Sequence, residues 1–321
     1  MWERFMSDGM LKRNIIITGA SGFLGRNLIG SLQRNGYFDN GSSSTARLIG
    51  FSSSPEKLRE RFPSELAEFH DREKIDDAEL CSIWKEAIVV NCAFPRNNSG
   101  TEMAEGLSYI KHVFEAAVGN GAAAVINISS QSVYAADRPE AAREDTPLCL
   151  ATCYAVGKYA VELMLESICA NTGTAFTSVR MASLIGPDFE PRIVNRLARQ
   201  ALRDGVITVK RNRQQFGFFD IEDAADALTA MLVSDPSKWR KVYNLGGRGT
   251  CTLTDMAEAV KKACSAVREV EIKTTDGYEY ANSGLRSDLF YSDFGFDPHV
   301  TLDQSAEKIV QFYSRTCSYT G

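Results

Sequence analysis

From residue 14 to about residue 181, short apolar runs rich in β-branched residues alternate with longer segments whose apolar positions recur every three or four residues. The runs at 14–18, 46–51, 88–92, 124–129 and 175–181, with a weaker one near His70, read as strands. The periodic segments at 23–35, 78–85, 101–118 and 154–171 read as helices. This alternation predicts parallel strands joined by crossover helices. IVVNCA and AAVINIS are apolar without a break, as strands covered on both faces are. A doubly wound α/β sheet over 14–186 follows.

After Gly186-Pro187 the rhythm changes to an amphipathic helix at 192–203, short strands at 206–209, 215–220 and 241–245, and further helices. Residues 187–321 therefore read as a smaller α+β unit that caps the first, with some later segments returning to it, and residues 1–13 as an N-terminal extension. The patch at 41–45 reads as a surface loop.

Composition narrows the function classes. A chain of 321 residues accommodates one large α/β domain or two coupled ones. Its net charge of -5 argues against nucleic acid, whose phosphates need a clustered positive surface. The cluster Lys210, Arg211, Arg213 reads either as a solvated loop or as a contact for an anionic substrate. Eight scattered cysteines resemble the reduced usage of a cytoplasmic protein, and His70, His112 and His299 stand far apart, so no metal site is expected. The N-terminus lacks an apolar stretch, and no window reaches the roughly 18 apolar residues of a spanning helix. No membrane partner is expected.

Two segments carry chemistry. In IIITGASGFLG a buried strand enters a turn with Gly19, Ser21, Gly22 and Gly25 and then a helix, the arrangement that binds a dinucleotide. Gly19 permits the turn, Gly22 lets backbone approach a pyrophosphate, Gly25 allows close packing, and the helix N-terminus attracts the anion. The second strand ends in Ser52, Ser53 and Ser54, without the carboxylate that holds the 2′-hydroxyl of NAD in Rossmann-type sheets. Those hydroxyls, with Lys57 and Arg59 nearby, lean the cofactor toward NADP over NAD. The other segment is Tyr154-Ala-Val-Gly-Lys158, preceded by Ser129 and Ser130 at the end of a buried strand. Spacing of four puts the phenol and the ammonium on one helix face. A fixed cation that favours phenolate makes a tyrosine of ordinary pKa about 10 useful as an acid/base, and a serine hydroxyl steadies charge on a substrate oxygen.

With these segments in hand, the chain resembles the extended short-chain dehydrogenase/reductases, the NAD-dependent epimerase/dehydratase family, over nearly its whole length. TGASGFLG is similar to the family's TGxxGxxG loop, CYAVGK to its YxxxK motif, VRMASLIGP to its RPxNVYGP stretch, and INISSQSVY to its serine strand. VVNCAF, FFDIEDAADAL and VYNLGG follow in the family's order. The resemblance implies a catalytic Ser130, four positions before Tyr134, with Tyr154 as acid/base and Lys158 both holding the cofactor ribose and lowering the tyrosine pKa. It further implies that Phe23, Leu24, Cys92, Ala93, Phe94 and Ala182 line the cofactor, and that hydride passes between nicotinamide C4 and a substrate carbon.

Departures from the pattern refine the expectation. The Asp-Glu pair of the sugar dehydratases is replaced by Gln131 and Ser132, which argues against dehydration. Phe216 stands where many nucleotide-sugar enzymes carry a diphosphate-gripping Arg, and Ser183 replaces a substrate-binding Asn. Arg192, Arg196, Arg211, Arg213 and Arg286 are candidates to reach the same phosphates. Substrate contacts are expected from Ser130, Gln131, Ser183, Arg192 and Phe216. The leading reading is a 4-epimerase or keto-sugar reductase acting on a nucleotide sugar. The alternatives are an NADPH-dependent reductase of another carbonyl compound, suited by Phe216, Phe218 and Phe219, and a silent cofactor sensor. By family analogy, helices 101–118 and 154–171 pair two subunits in a homodimer.

Overall fold

The computed structural model describes residues 13–37, 46–63, 65, 67–95, 100–190, 192–211, 213–265, 269–277 and 280–317. The expected loop at 41–45 and the N-terminal extension, Arg13 apart, lie outside the described residues. The first half runs β1 (Ile15–Thr18), α1 (Phe23–Arg34), β2 (Leu48–Ser52), α2 (Pro55–Arg61), β3 (Ala67–Asp71) and α3 (Cys81–Trp84). It continues with β4 (Ile88–Asn91), α4 (Gly100–Gly119), β5 (Ala124–Ser130), α5 (Cys153–Cys169), β6 (Ala175–Met181) and β7 (Ser183–Ile185). Then come α6 (Ile193–Asp204), β8 (Val206–Arg211), β9 (Phe218–Asp220), α7 (Ile221–Leu232) and β10 (Val242–Leu245). The described chain closes with α8 (Leu253–Cys264), β11 (Glu271–Asp276), α9 (Asp288–Phe294) and α10 (Leu302–Cys317).

Seven parallel strands form the central sheet in the order β10-β6-β5-β4-β1-β2-β3. The chain starts at β1, works outward through β2 and β3, then returns to β4 and proceeds the other way. The reversal lies between β1 and β4, and the crevice beyond their C-terminal ends is where such sheets bind ligands. On one face α1, α7 and α9 cover the sheet through Leu28, Ile29, Leu228, Met231 and Phe290. On the other, α4 and α5 do so through Ile110, Phe114, Val161 and Leu165. Burial on both faces explains why β1, β2 and β4 are buried throughout and apolar up to the Thr18, Ser52 and Asn91 that end them.

A second core, containing Leu197, Ile207, Val260 and Ile309, joins α6, β8, α8 and α10 into the cap. Three elements differ from the sequence reading. The strand expected at 241–245, assigned to the smaller unit, is β10, which pairs with β6 in the main sheet. The strand expected at 215–220 shortens to β9, because Gly217 passes so close to Ser283 that a Cβ would meet its carbonyl oxygen at 2.7 Å, and Gln215 and Phe216 make only isolated bridges to Asn282 and Cys251. The helix expected at 78–85 is a 3-10 turn at Ala78–Leu80 followed by the single turn of α3.

Asp220 caps α7 by accepting the Glu222 N–H at 2.8 Å. Asp223, 1% exposed, turns inward from the first turn and accepts the backbone N–H groups of His299 and Val300 at 3.1 and 2.9 Å. It thereby anchors the segment leading into α10. Asp223→Ala leaves both N–H groups without their acceptor and is expected to lower the unfolding free energy by about 2–3 kcal/mol. Urea denaturation of the variant checks this.

Candidate functional site

The glycine turn is shaped by contacts that no side chain would allow. Gly19 has φ +65°, and a Cβ on it would meet the Ala93 backbone nitrogen at 2.7 Å. A Cβ on Gly25 would meet the Gly19 carbonyl oxygen at 2.5 Å, which fixes how closely α1 approaches the turn. Gly22 caps α1 and donates its N–H to Gly19 at 2.9 Å. Beyond the turn opens a cleft of about 620 Å³ bordered by Gly19, Ser21, Ser53, Lys57, Arg72 and Cys92, among others. A backbone cradle closed to Cβ atoms, on a cleft of this size, fits the dinucleotide that the sequence implies.

At the end of β2, Ser52 is buried, donates to Ser21 Oγ at 2.7 Å and accepts the Ser54 N–H at 2.9 Å, so its side chain sets the turn. Ser53 and Ser54 border the cleft with Lys57. Arg59 does not join them: its guanidinium donates to the Phe69 carbonyl and faces Glu56 at 3.6 Å. Arg72, beyond β3, takes that place on the cleft wall. Cys92, Ala93 and Phe94 border the cleft after β4. Leu24 and Ala182 are buried, Phe23 stacks on Phe189 at 3.9 Å, and Ser183 is half-buried in β7.

Ser130, Tyr154 and Lys158 converge beside this cleft. Ser130 ends β5, accepts the Ser132 N–H at 3.2 Å and stands close enough to the Tyr154 phenol to lower its pKa. Thr152 caps α5 by accepting the Ala155 N–H at 3.1 Å, which starts the helix in time to put Tyr154 and Lys158 on one face. Lys158, 6% exposed, donates to the Ile128 carbonyl at 2.8 Å and lies 4.0 Å from the centre of the Phe94 ring. Phe94 meets Tyr154 edge-on at 5.2 Å. Burial pushes the Tyr154 pKa above its ordinary value, and the nearby Ser130 hydroxyl and the Arg192 charge pull it back. The Lys158 ammonium lies 5.8 Å from the centre of the Tyr154 ring and is directed to the Ile128 carbonyl. Burial drives the Lys158 pKa itself down to about 8, against the opposing pull of Cys92 and Glu162. Since burial pushes the Cys92 thiol up to about 12, the negative charge facing Lys158 at neutral pH belongs to Glu162.

Glu162 was missed by sequence reasoning, although it stands four residues after Lys158 on the same face. It is ion-paired to Arg180 of β6 at 2.8 Å, both side chains 6% exposed, and accepts the Ser129 hydroxyl. Arg180 also donates to the Tyr134 hydroxyl at 2.9 Å, which donates to Asn244 of β10 at 2.8 Å. A buried polar chain thus ties α5 to three strands beneath Ser130. Gln131 follows Ser130 in a half-buried 3-10 turn. Phe216, expected at the substrate, packs against the cap core with Phe218. Among the described residues no cluster of His, Cys, Asp and Glu could hold a metal ion, and no helix is long and apolar enough to cross a membrane.

Residues 15–246 match the model of the NAD dependent epimerase/dehydratase family. Protein CapI of Staphylococcus aureus is 23% identical over 93% of this chain and 98% of its own length. Among solved structures, MoeE5 in complex with UDP-glucose and NAD superposes with a TM-score of 0.76 at 20% identity, covering 95% of this chain and 99% of that one. UDP-glucuronic acid 4-epimerase from Bacillus cereus, in complex with UDP-glucuronic acid and NAD, gives 0.77 at 19% identity over 94% and 99%. At these identities the structural likeness concerns the fold.

The buried ammonium sets a pH signature. The folded chain holds Lys158 at about 8 against 10.5 for the free group, so the cation opposes folding below pH 8 and this penalty fades between pH 8 and 10.5. Lys158→Met is therefore expected to raise stability at pH 7 by about 2 kcal/mol, after allowing for the lost bond to Ile128. Urea denaturation at several pH values should show the gain shrinking above pH 8 and turning into a loss before pH 10.5, where the missing bond to Ile128 dominates.

Proposed function

The chain belongs to the NAD dependent epimerase/dehydratase family, and from that premise we propose that it moves a hydride at a carbon of a nucleotide sugar, as a 4-epimerase or a keto-sugar reductase. The observation that carries this reading is the convergence of Ser130, Tyr154 and Lys158 at the C-terminal edge of β5 beside the dinucleotide cleft, with the two α5 residues one helical turn apart.

The bound nicotinamide supplies or accepts the hydride at its C4. Ser130 hydrogen-bonds the substrate oxygen and steadies the charge that grows on it. Tyr154 exchanges that oxygen's proton, and its raised pKa keeps the phenol protonated at neutral pH, ready to donate to a ketone. Lys158 offers its ammonium to the cofactor ribose. Gly19, Ser21, Gly22, Phe23, Leu24, Gly25, Cys92, Ala93, Phe94 and Ala182 are assigned to the cofactor, and Gln131 and Ser183 to the substrate. Arg196 and Lys210 border a second cleft of about 350 Å³ between α6 and β8, which suits the nucleotide and its phosphates.

Ser53, Ser54, Lys57 and Arg72 favour NADP, since the end of β2 supplies no carboxylate and two cations border the cleft, whose acids Glu102 and Glu105 come from α4. NADPH as a reductant tips the choice toward the reductase. Phe216 and Phe218 are engaged in the cap core, which weighs against an apolar carbonyl substrate. The free thiols of the described cysteines fit a reducing cytoplasm. Val156 and Leu163, each 49% exposed on α5, support a homodimer through that helix.

Two measurements test this reading. Tyr154→Phe is expected to bind cofactor as the parent does while turnover of a UDP-sugar substrate falls by about 10²–10⁴-fold; full turnover in the variant would remove the mechanism. The double variant Lys57→Ala/Arg72→Ala is expected to weaken NADPH by about 10–100-fold while NADH changes little. Fluorescence titration of both nucleotides reads the difference, and equal effects on the two would overturn the NADP preference.

A further inference from the structure

The 3-10 turn that follows β5 is built on a pair of serines. Ser130 caps it, and its Oγ accepts from Ser132 twice, from the backbone N–H at 3.2 Å and from the hydroxyl at 3.0 Å. The other 3-10 turns among the described residues are capped by Asp71, Asp77 and Asp235, each accepting the N–H two residues on. Asp235 receives the same pair of bonds, from the N–H and the hydroxyl of Ser237 at 3.0 and 2.8 Å. Such a turn therefore needs an acceptor and nothing more. A serine brings one proton as well as two lone pairs, so the Ser130 proton is surplus to the turn. With both lone pairs engaged by Ser132, the one capacity left to this hydroxyl is to donate.

The turn itself is fixed. Val133 is fully buried, its carbonyl accepts the Cys149 N–H at 2.8 Å, and Tyr134 bonds to Arg180 and Asn244. α5 is fastened to the same strand end, since Lys158 donates to the Ile128 carbonyl at 2.8 Å and Glu162 accepts the Ser129 hydroxyl. Ser132 is thus held beside Ser130, whose proton is left to the side where Tyr154 stands in the first turn of α5. A serine with a lone pair free could turn round and accept from the phenol, which would leave a substrate oxygen without its donor. The Ser132 hydroxyl closes that alternative.

We propose that Ser132 is a positioning residue for hydride transfer: by filling the acceptor sites of Ser130 it commits the Ser130 proton to the substrate oxygen. This rests on the nucleotide-sugar reading above and makes Ser130 a fixed donor, so that the exchanged proton stays with Tyr154. The test is a double-mutant cycle, read as the single-turnover rate of hydride transfer from UDP-glucose and from UDP-glucuronate to bound NADP and NAD and followed by the absorbance of the reduced nicotinamide. Ser132→Ala is expected to slow transfer at saturating sugar by about 3–10-fold, the worth of one oriented hydrogen bond, and to move half-saturation by less than about twofold. Ser132→Thr, which carries the same hydroxyl, is expected to come within about twofold of the parent rate. In a Ser130→Ala background, Ser132→Ala is expected to slow transfer no further, because its route to the chemistry is gone. Unchanged NADPH binding shows that each variant is folded. Equal slowing in both backgrounds overturns the proposal by giving Ser132 a contact of its own, and so does a parental rate in Ser132→Ala; either result leaves the nucleotide-sugar reading in place. If the parent binds NADPH but transfers no hydride from either sugar to either nucleotide, the nucleotide-sugar reading itself falls and the proposal with it.

Discussion

Glu162 and Arg180 are charges that the fold must keep together, because parting them would strand each in a medium that cannot solvate it. Their value lies in register more than in stability, since a well-packed apolar pair would serve stability as well. Glu162 belongs to α5 and Arg180 to β6, so the pair forbids the helix to slide or roll on the sheet. Tyr154 and Lys158 ride on the same face of that helix, and Ser129, which donates to Glu162, precedes Ser130. The mutual positions of the three groups assigned to proton chemistry are therefore inherited from an ion pair that takes no part in it. The same carboxylate helps keep Lys158 charged against its burial.

Most of the sheet was legible in the sequence because strands covered on both faces must be apolar throughout. β3 gave a weak signal for the complementary reason: it is the edge strand and only Phe69 within it is buried. β10 was recognised as a strand but assigned to the wrong unit, since a periodicity records burial and not which sheet provides it. At the site, the glycine turn and the Ser, Tyr and Lys positions stood out because each depends on local spacing. Glu162 shared that spacing and was overlooked. A second clue was Arg180, a charge inside a strand of the central sheet, which demands a buried partner. Arg72 carried no such mark, because its place on the cleft wall depends on how the edge strand ends. Spacing put Tyr154 and Lys158 on one face but did not say where the ammonium points, which the carbonyl of Ile128 decides.

The return of the chain to the main sheet has a consequence for biosynthesis. β10 follows α6, β8 and α7 in the chain, yet it pairs with β6 and supplies Asn244, which joins Tyr134, Ala142 and Glu144 through hydrogen bonds of 2.8, 3.0 and 2.8 Å. A ribosome that has released the chain through β6 has produced six of the seven strands together with Tyr134, Ala142 and Glu144, but not β10 or its Asn244. Until Leu245 emerges, β6 stands as an open edge with unpaired backbone groups and an apolar flank, and Tyr134 waits in the interior without its acceptor on β10. Such an edge is a template for pairing with another nascent chain. The interval in which the cap is being translated is thus the period when this protein most needs shielding by a chaperone.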